Sequence, residues 1–173
     1  MFGRDKTPPA PWSVELLTTE YVVAGEIVPD DQQLAELYLQ YQSTTKNSGF
    51  LTVTSPQLRS VRGLNAAATP GGTWVANLDT ALVAVIPRDP ASIAFAQKNA
   101  PTQNMTPAAA LVGPYHVAGT LRHAYDLGLV TLEHSFAMTD VEVTVTAPGW
   151  AGGPIAAPFA IVVCAHLHGL VVA

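Results

Sequence analysis

The chain has 173 residues, of which 49% are hydrophobic and only 12% are charged, and its net charge is −5. Disordered chains show the opposite balance, so this chain is expected to fold around a substantial core. Eight Lys and Arg residues are few for contacting phosphates, which argues against nonspecific nucleic-acid binding. The single cysteine excludes an internal disulfide framework and fits a reducing, cytoplasmic location.

The two ends of the chain carry neither a secretion signal nor a membrane span by their sequence pattern. Residues 1–13 are rich in proline and charge, lack an apolar signal region and are predicted to form a flexible arm. The apolar stretch from Ile155 to Ala173 is Val/Ile-rich and is interrupted by Pro158 and Gly169. Buried strands have this composition more often than membrane helices do, so we expect a soluble protein with no membrane partner.

The region 14–87 is predicted to be a first β module. Its β-branched and aromatic runs favour strands, whereas Gln32–Tyr41 has leucine and tyrosine at helical spacing and predicts an amphipathic helix. Pro56 is expected to break a strand, and Asp79-Thr80 is a candidate turn between a closing pair of strands. The predicted strands are Val14–Leu17, Tyr21–Val28, Phe50–Thr54, Leu58–Val61, Trp74–Leu78 and Ala81–Ile86. The first two of these strands are expected to form a β-pair.

Residues 88–107 are predicted to be a linker, with a short helix within Ala91–Ala100, and residues 108–173 to be a second β module. In that module the clean alternation of Val141–Val145 places Glu142 on the solvent face of a half-buried strand. The other strands predicted there are Tyr115–Leu121, Phe136–Asp140 and Phe159–Val172, the last with Leu167 in the position of Leu82.

A repeated motif suggests that the two modules are alike. Tyr21 to Ile27 and Tyr115 to Leu121 both read Tyr-x-Val-Ala-Gly-x-(Ile/Leu). Tyr21, Gly25, Tyr115 and Gly119 are therefore predicted to be structural, and a glycine inside a strand marks a bulge or a close backbone approach. The predicted fold is mainly β, with α+β at the margin. It consists of two tandem, pseudo-symmetric, small β-barrel-like modules with one amphipathic helix in the first.

This order of strands resembles an uncharacterised bacterial β-rich domain family, present here as two tandem copies. The motifs that carry the resemblance are Tyr115–Gly119, Phe136–Asp140 and Val75–Asp79. The resemblance implies no activity, because none is assigned to that family. A β-barrel of the Sm-like kind is also similar in strand sequence, although a basic RNA site has no counterpart here.

The strongest candidate for metal binding is the set Cys164, His166 and His168. In a continuous strand these residues project from one face, and a thiolate with two imidazoles suits Zn²⁺. The alternative is that Cys164 is a small buried hydrophobe and that the histidines line a sheet edge or a subunit contact. The sequence shows no evident fourth ligand, although three further histidines exist: His116, His123 and His134.

Other chemistry has weaker support. Four acidic residues could supply a carboxylate pair for acid–base catalysis, and they are Asp126, Glu133, Asp140 and Glu142. The sequence has no phosphate-binding glycine loop, and it has no Gly-x-Ser-x-Gly nucleophile elbow. No cofactor is therefore predicted.

The leading functional hypothesis is a non-enzymatic binding or assembly module, which we expect to form a homodimer because few charges protect its apolar strands. The first alternative is a metal-binding protein or metal-dependent enzyme centred on Cys164, His166 and His168. A second alternative, disfavoured by the acidic charge, is a single-stranded nucleic-acid binder that stacks bases on Tyr21, Tyr115 and Trp74.

Overall fold

The computed structural model describes residues 10–28, 50–63, 72–77, 82–100, 104–123 and 135–173. These residues are mainly β, with 68% in strands. They form a single antiparallel sheet of ten strands in the order β10-β6-β7-β8-β9-β5-β1-β2-β3-β4. The strands are β1 Trp12–Thr18, β2 Tyr21–Ile27, β3 Phe50–Ser60, β4 Thr73–Asn77, β5 Leu82–Pro87, β6 Asn104–Val112, β7 Tyr115–His123, β8 Ser135–Val145, β9 Ile155–Val163 and β10 Leu167–Val172.

The sheet is not closed into a barrel, so the predicted barrel form is wrong. A barrel would require β4 and β5 to pair with each other, as the predicted closing hairpin does. Instead, among the described residues, β4 pairs with β3 alone, whereas β5 lies between β1 and β9. The outer edge of β5 is thereby used to join the two halves of the sheet.

Strand β1 is buried on both faces and lies between β5 and β2 in the sheet. Leu16 and Leu17 are both 0% exposed although they point to opposite sides. The predicted β-pair of β1 with β2 is confirmed, with Leu16 opposite Val23 and Leu17 opposite Val22. A strand with two buried faces reads as a continuous apolar run, which is the pattern of Val14–Leu17 apart from Glu15.

Two hydrophobic cores use the opposite faces of the central strands. The larger core contains Leu17 and Ile86 from the first half together with Tyr115 and Val162 from the second half. The smaller core contains Leu16 and Val85 together with Phe159 and Ile161. Because each core draws residues from both halves, the two halves are packed as one body.

Strand β3 runs through Pro56 without a break, which corrects the predicted interruption. Thr54 pairs with Glu26 and Gln57 pairs with Ala24, so Ser55 and Pro56 stand together opposite Gly25 in a bulge. A proline in the bulge removes no hydrogen bond from the ladder. A bulge also joins the predicted strands Phe136–Asp140 and Val141–Val145 into one strand, β8, and Asp140 lies at that bulge.

The helix predicted within the linker is present as α1, Pro90–Asn99. Asp89 caps its N-terminus by accepting hydrogen bonds from the backbone N–H groups of Ala91 (3.0 Å) and Ser92 (2.9 Å). The other carboxylate oxygen accepts a hydrogen bond from the Ser13 backbone N–H at 2.8 Å, which ties the helix to β1. Strand β6 begins at Asn104, inside the region predicted to be the linker.

Within the described ranges no helix is both long and apolar enough to cross a membrane. The predicted helix Gln32–Tyr41 and the predicted turn Asp79-Thr80 lie outside those ranges.

Candidate functional site

Cys164, His166 and His168 do not share one strand, so the geometry assumed for the predicted metal site is wrong. Cys164–His166 is a turn of 3-10 helix between β9 and β10, and only His168 lies in a strand. The turn is held by the Gly113 backbone N–H, which donates to the His166 carbonyl at 2.8 Å. Burial raises the pKa of the Cys164 thiol to about 11, which disfavours the thiolate that a metal needs.

The described residues contain no group of three His, Cys, Asp or Glu side chains placed to hold a metal ion. His123 is 8% exposed and its Nε2 lies 3.1 Å from the Thr106 hydroxyl. His116 stands in β7 opposite Leu111 and Thr144. His134 lies outside the described ranges.

Asp140 and Glu142, the two acidic candidates that the structure describes, form no candidate site. Glu142 is exposed between two buried valines, as predicted, and Asp140 is exposed at the bulge of β8. Asp126 and Glu133 lie outside the described ranges. Tyr115 is 0% exposed and cannot stack on a nucleic-acid base.

The one buried carboxylate among the described residues belongs to Glu15, and its partners make it structural. Its side chain is 7% exposed and forms salt bridges with Arg59 of β3 and Arg88, which follows β5. Arg88 also donates from Nη1 to the Ala156 carbonyl of β9 at 2.8 Å. Glu15 therefore orients an arginine that links the two halves, and we assign it no chemistry.

The most distinctive feature of the surface is a pair of sheet edges, formed by β4 and β10. In the part of the chain that the structure describes, no strand pairs with the outer side of either. Neither strand contains a charged residue or a proline, the residues that usually protect an exposed edge. Val75 of β4 is 56% exposed and Val171 of β10 is 72% exposed.

The junction between the halves is also a pairing of sheet edges. Strand β5 meets β9 with Ala84 opposite Val162 and Val85 opposite Ile161. Beyond the ladder, the Arg59 guanidinium lies 5.2 Å from the ring centroid of Trp150. The two halves of the sheet are therefore joined by the pairing of one edge strand from each half.

Tyr115 makes the most buried polar contact across the junction. Its hydroxyl donates to the carbonyl oxygen of Thr18, the last residue of β1, at 2.7 Å. Burial raises the pKa of Tyr115 well above its ordinary value of 10.0 and outweighs the Thr18 hydrogen bond, which lowers it. The motif tyrosine therefore stays protonated and acts as a neutral donor.

The strand order is the same in the two halves of the sheet. The first half reads β5-β1-β2-β3-β4 and the second reads β10-β6-β7-β8-β9. The bulges agree as well, because the register shifts between Ala24 and Glu26 in β2 and between Ala118 and Thr120 in β7. Ser55 and Asp140, at the bulges of the partner strands, both have positive φ, at 50° and 51°.

The ladder registers match positions in the two halves. Val75 corresponds to Ile161. Val75 pairs with the residue three positions before Ser55, and Ile161 pairs with the residue three positions before Asp140. Leu17 and Leu111 pair with the residues that directly follow the motif tyrosines. Ile86 corresponds to Val171 in the same way. Ile86 pairs with the β1 residue two positions before Leu17, and Val171 pairs with the β6 residue two positions before Leu111.

These matched positions differ sharply in exposure. At each, an aliphatic side chain is buried at the internal junction, and its counterpart near a free edge is exposed. The three pairs, exposed residue first, are Val75 (56%) and Ile161 (6%), Leu111 (50%) and Leu17 (0%), and Val171 (72%) and Ile86 (0%).

Sequence reasoning missed Tyr115 as a junction residue and Val171 as an edge residue. The low charge near the C-terminus pointed to a strand in need of cover, but it did not separate the central β9 from the edge β10. Leu167 lies opposite Val112 in its ladder, and Leu82 lies opposite Thr18.

No protein-family model, curated protein or solved structure matches the chain.

Proposed function

We propose that this protein is a non-enzymatic assembly module that associates with copies of itself through the free edges of its sheet. The observation that carries the proposal is the pair of uncharged edge strands, β4 and β10, with Val75 and Val171 exposed on them. A row of unpaired N–H and C=O groups on such a strand is a template for pairing with another strand. Assembly of this kind needs no catalytic group. A homodimer is the smallest closed assembly that two copies of the chain could form.

We further propose that the chain consists of two similar β modules, β1–β5 and β6–β10. Support comes from the shared strand order, from the glycine bulges at Gly25 and Gly119, and from the positive φ values at Ser55 and Asp140. A bulge with a non-glycine residue at positive φ is uncommon, so two at matching positions are better explained by duplication than by chance. In this view the β5–β9 junction is a module–module contact that covalent connection has placed within one chain.

The test is sedimentation velocity on the wild-type protein, a Val171→Lys variant and a Val28→Lys control. Val171 and Val28 are both exposed, at 72% and 51%, but Val28 follows β2 and lies on neither free edge. Lysine is a residue that natural edge strands use to prevent pairing. We expect the wild type and the control to sediment as oligomers and Val171→Lys to sediment as the 18.2 kDa monomer.

Circular dichroism of the three proteins controls for unfolding, because an exposed lysine should leave the monomer intact. A wild type that sediments as a monomer at every concentration contradicts the proposal. Equal dissociation of the two lysine variants would mean that the edge is not the contact.

A further inference from the structure

We infer that the chains associate head to tail, with β10 of one chain pairing antiparallel with β4 of the next, in the register of the internal β5–β9 junction. This inference rests on the proposed self-assembly and specifies its geometry. The partner of each edge is therefore a second copy of this chain. The β10 edge of a chain binds the β4 edge of one neighbour, and its β4 edge binds the β10 edge of another copy.

The strand order gives the first argument. Counted along the chain, β9 is the fourth strand of the second half and β5 is the fifth strand of the first half. These two strands pair with each other. Within the described part of the chain, the strands left with free edges are β4, the fourth strand of the first half, and β10, the fifth strand of the second half. A contact between β10 and β4 would therefore repeat a fourth-to-fifth pairing that this chain already forms once.

The exposed side chains give a second and independent argument. Among the described residues the exposed large hydrophobic side chains are Val28, Val75, Met105, Leu111 and Val171. Three of the five occupy positions whose counterparts are buried at the internal junction, namely Val75, Leu111 and Val171. A head-to-tail contact would cover all three in the way that Ile161, Leu17 and Ile86 are covered. Pairing of two copies of β10 would leave Val75 exposed.

The internal register specifies which residues face each other. Val85 lies opposite Ile161 in the internal junction, and their matched positions are Leu170 and Val75. Leu170 of one chain is therefore expected opposite Val75 of the next. In the same way the Tyr115 hydroxyl, which donates to the Thr18 carbonyl, has its counterpart in Tyr21. Tyr21 of one chain is expected to donate to the Val112 carbonyl of its neighbour.

One internal contact has no counterpart between chains. Ala173 occupies the position that matches Arg88, because Val171 matches Ile86. The arginine that reaches the Ala156 carbonyl within the chain is therefore missing from the contact between chains. The contact between chains should be weaker than the internal junction and should dissociate before the chain unfolds.

A contact of this kind is heterologous, so it propagates until the chain of contacts closes on itself. Each closed assembly would contain an even number of modules, because every chain contributes two. Closure permits one discrete assembly of two or more chains of 18.2 kDa each, whereas a contact between like edges joins only two chains.

Cysteine cross-linking tests the geometry with the full-length chain. In a background with Cys164→Ala, one protein carries Leu170→Cys and a second carries Val75→Cys. Opposite residues of antiparallel strands have Cα atoms about 4.5–5.5 Å apart, within the range that a disulfide spans. We expect the mixed proteins, treated with oxidised glutathione, to form a disulfide-linked pair of twice the 18.2 kDa mass. Neither protein alone should do so, and Val28→Cys should not replace Val75→Cys.

A Leu170→Cys protein that cross-links to itself as well as the mixture does would mean that like edges pair, which overturns the head-to-tail geometry. An oligomer that gives no cross-link overturns it too. In both cases the proposed self-assembly stands. A protein that is monomeric by mass and gives no cross-link means that the self-assembly has failed and the geometry with it.

A pair of tyrosine variants separates assembly from folding. We expect Tyr21→Phe to weaken association roughly three- to tenfold, from the loss of one hydrogen bond per contact, without changing the stability of the monomer. Tyr115→Phe should instead destabilise the fold. Equal association of Tyr21→Phe and wild type would remove the tyrosine from the proposed contact.

Discussion

Replacement of Gly119 by alanine tests how the bulges are built. A Cβ at Gly119 would stand 2.7 Å from the Thr139 carbonyl oxygen, 3.2 Å from the Asp140 carbonyl oxygen and 3.3 Å from the Val141 Cα. All three are backbone atoms of β8, which is paired on its other side with β9. The strand therefore cannot move aside without breaking a second ladder, and Gly119→Ala is expected to cost about 1–3 kcal/mol.

The matched control is Gly153→Ala, because a Cβ at Gly153 meets nothing within 4 Å. Urea unfolding of both variants at one fixed protein concentration measures the difference, since association would otherwise shift the midpoint. For a chain of this size each kcal/mol lowers the melting temperature by about 2–4 °C. If Gly119→Ala and Gly153→Ala unfold at the same urea concentration, the close approach of β7 and β8 does not constrain the sequence as we have argued.

Three further predictions concern titrating groups. Because the folded pKa of Tyr115 is raised, the wild type should lose stability as the pH rises above 10.0, whereas Tyr115→Phe should be less stable at neutral pH but lack that loss in urea unfolding. Burial alone would raise the pKa of Asp89, but hydrogen bonds led by that from the Ser92 backbone N–H lower it below 3.8. Asp89→Ala should therefore cost about 0.5–2 kcal/mol at neutral pH, and the difference from wild type should shrink as the pH falls below 3.8. Cys164, with its pKa raised to about 11, should react slowly with Ellman's reagent at neutral pH and at the rate of a free thiol after unfolding in urea.

Local patterns predicted the individual strands well because the alternation of buried and exposed residues along a strand is visible within a few residues. The pairing of β1 with β2 followed from two apolar runs separated by a short turn. Glu142 was placed on the solvent face because it alternates with buried valines. The glycine of each tyrosine motif pointed to a close backbone approach, and both glycines lie opposite a bulge in the neighbouring strand.

Long-range pairing was not accessible from those patterns. The pairings of β5 with β1 and with β9 join residues far apart in the chain, and a strand has the same two-residue period whichever neighbour it has. The sequence therefore favoured the nearest pairing, a hairpin of β4 and β5, and missed the internal junction. Pro56 misled for a related reason, since its effect depends on the bulge opposite Gly25.

The one-strand geometry expected for Cys164, His166 and His168 is lost at a single turn. An apolar run from Phe159 to Val172 gives no sign that its middle leaves the sheet, because Cys164 and Ala165 are compatible with a strand. The 3-10 turn joins β9 to β10, and these strands lie at distant places in the sheet order. The positions expected to project from one face are thereby separated.

The measurement that tests the account most directly is the mass of the wild-type protein by light scattering during size exclusion, over a wide range of loading concentrations. Association through the edges of β4 and β10 predicts a discrete mass that is a multiple of 18.2 kDa and that falls to a single chain only on dilution. A mass of 18.2 kDa that persists at the highest concentration would contradict the central claim.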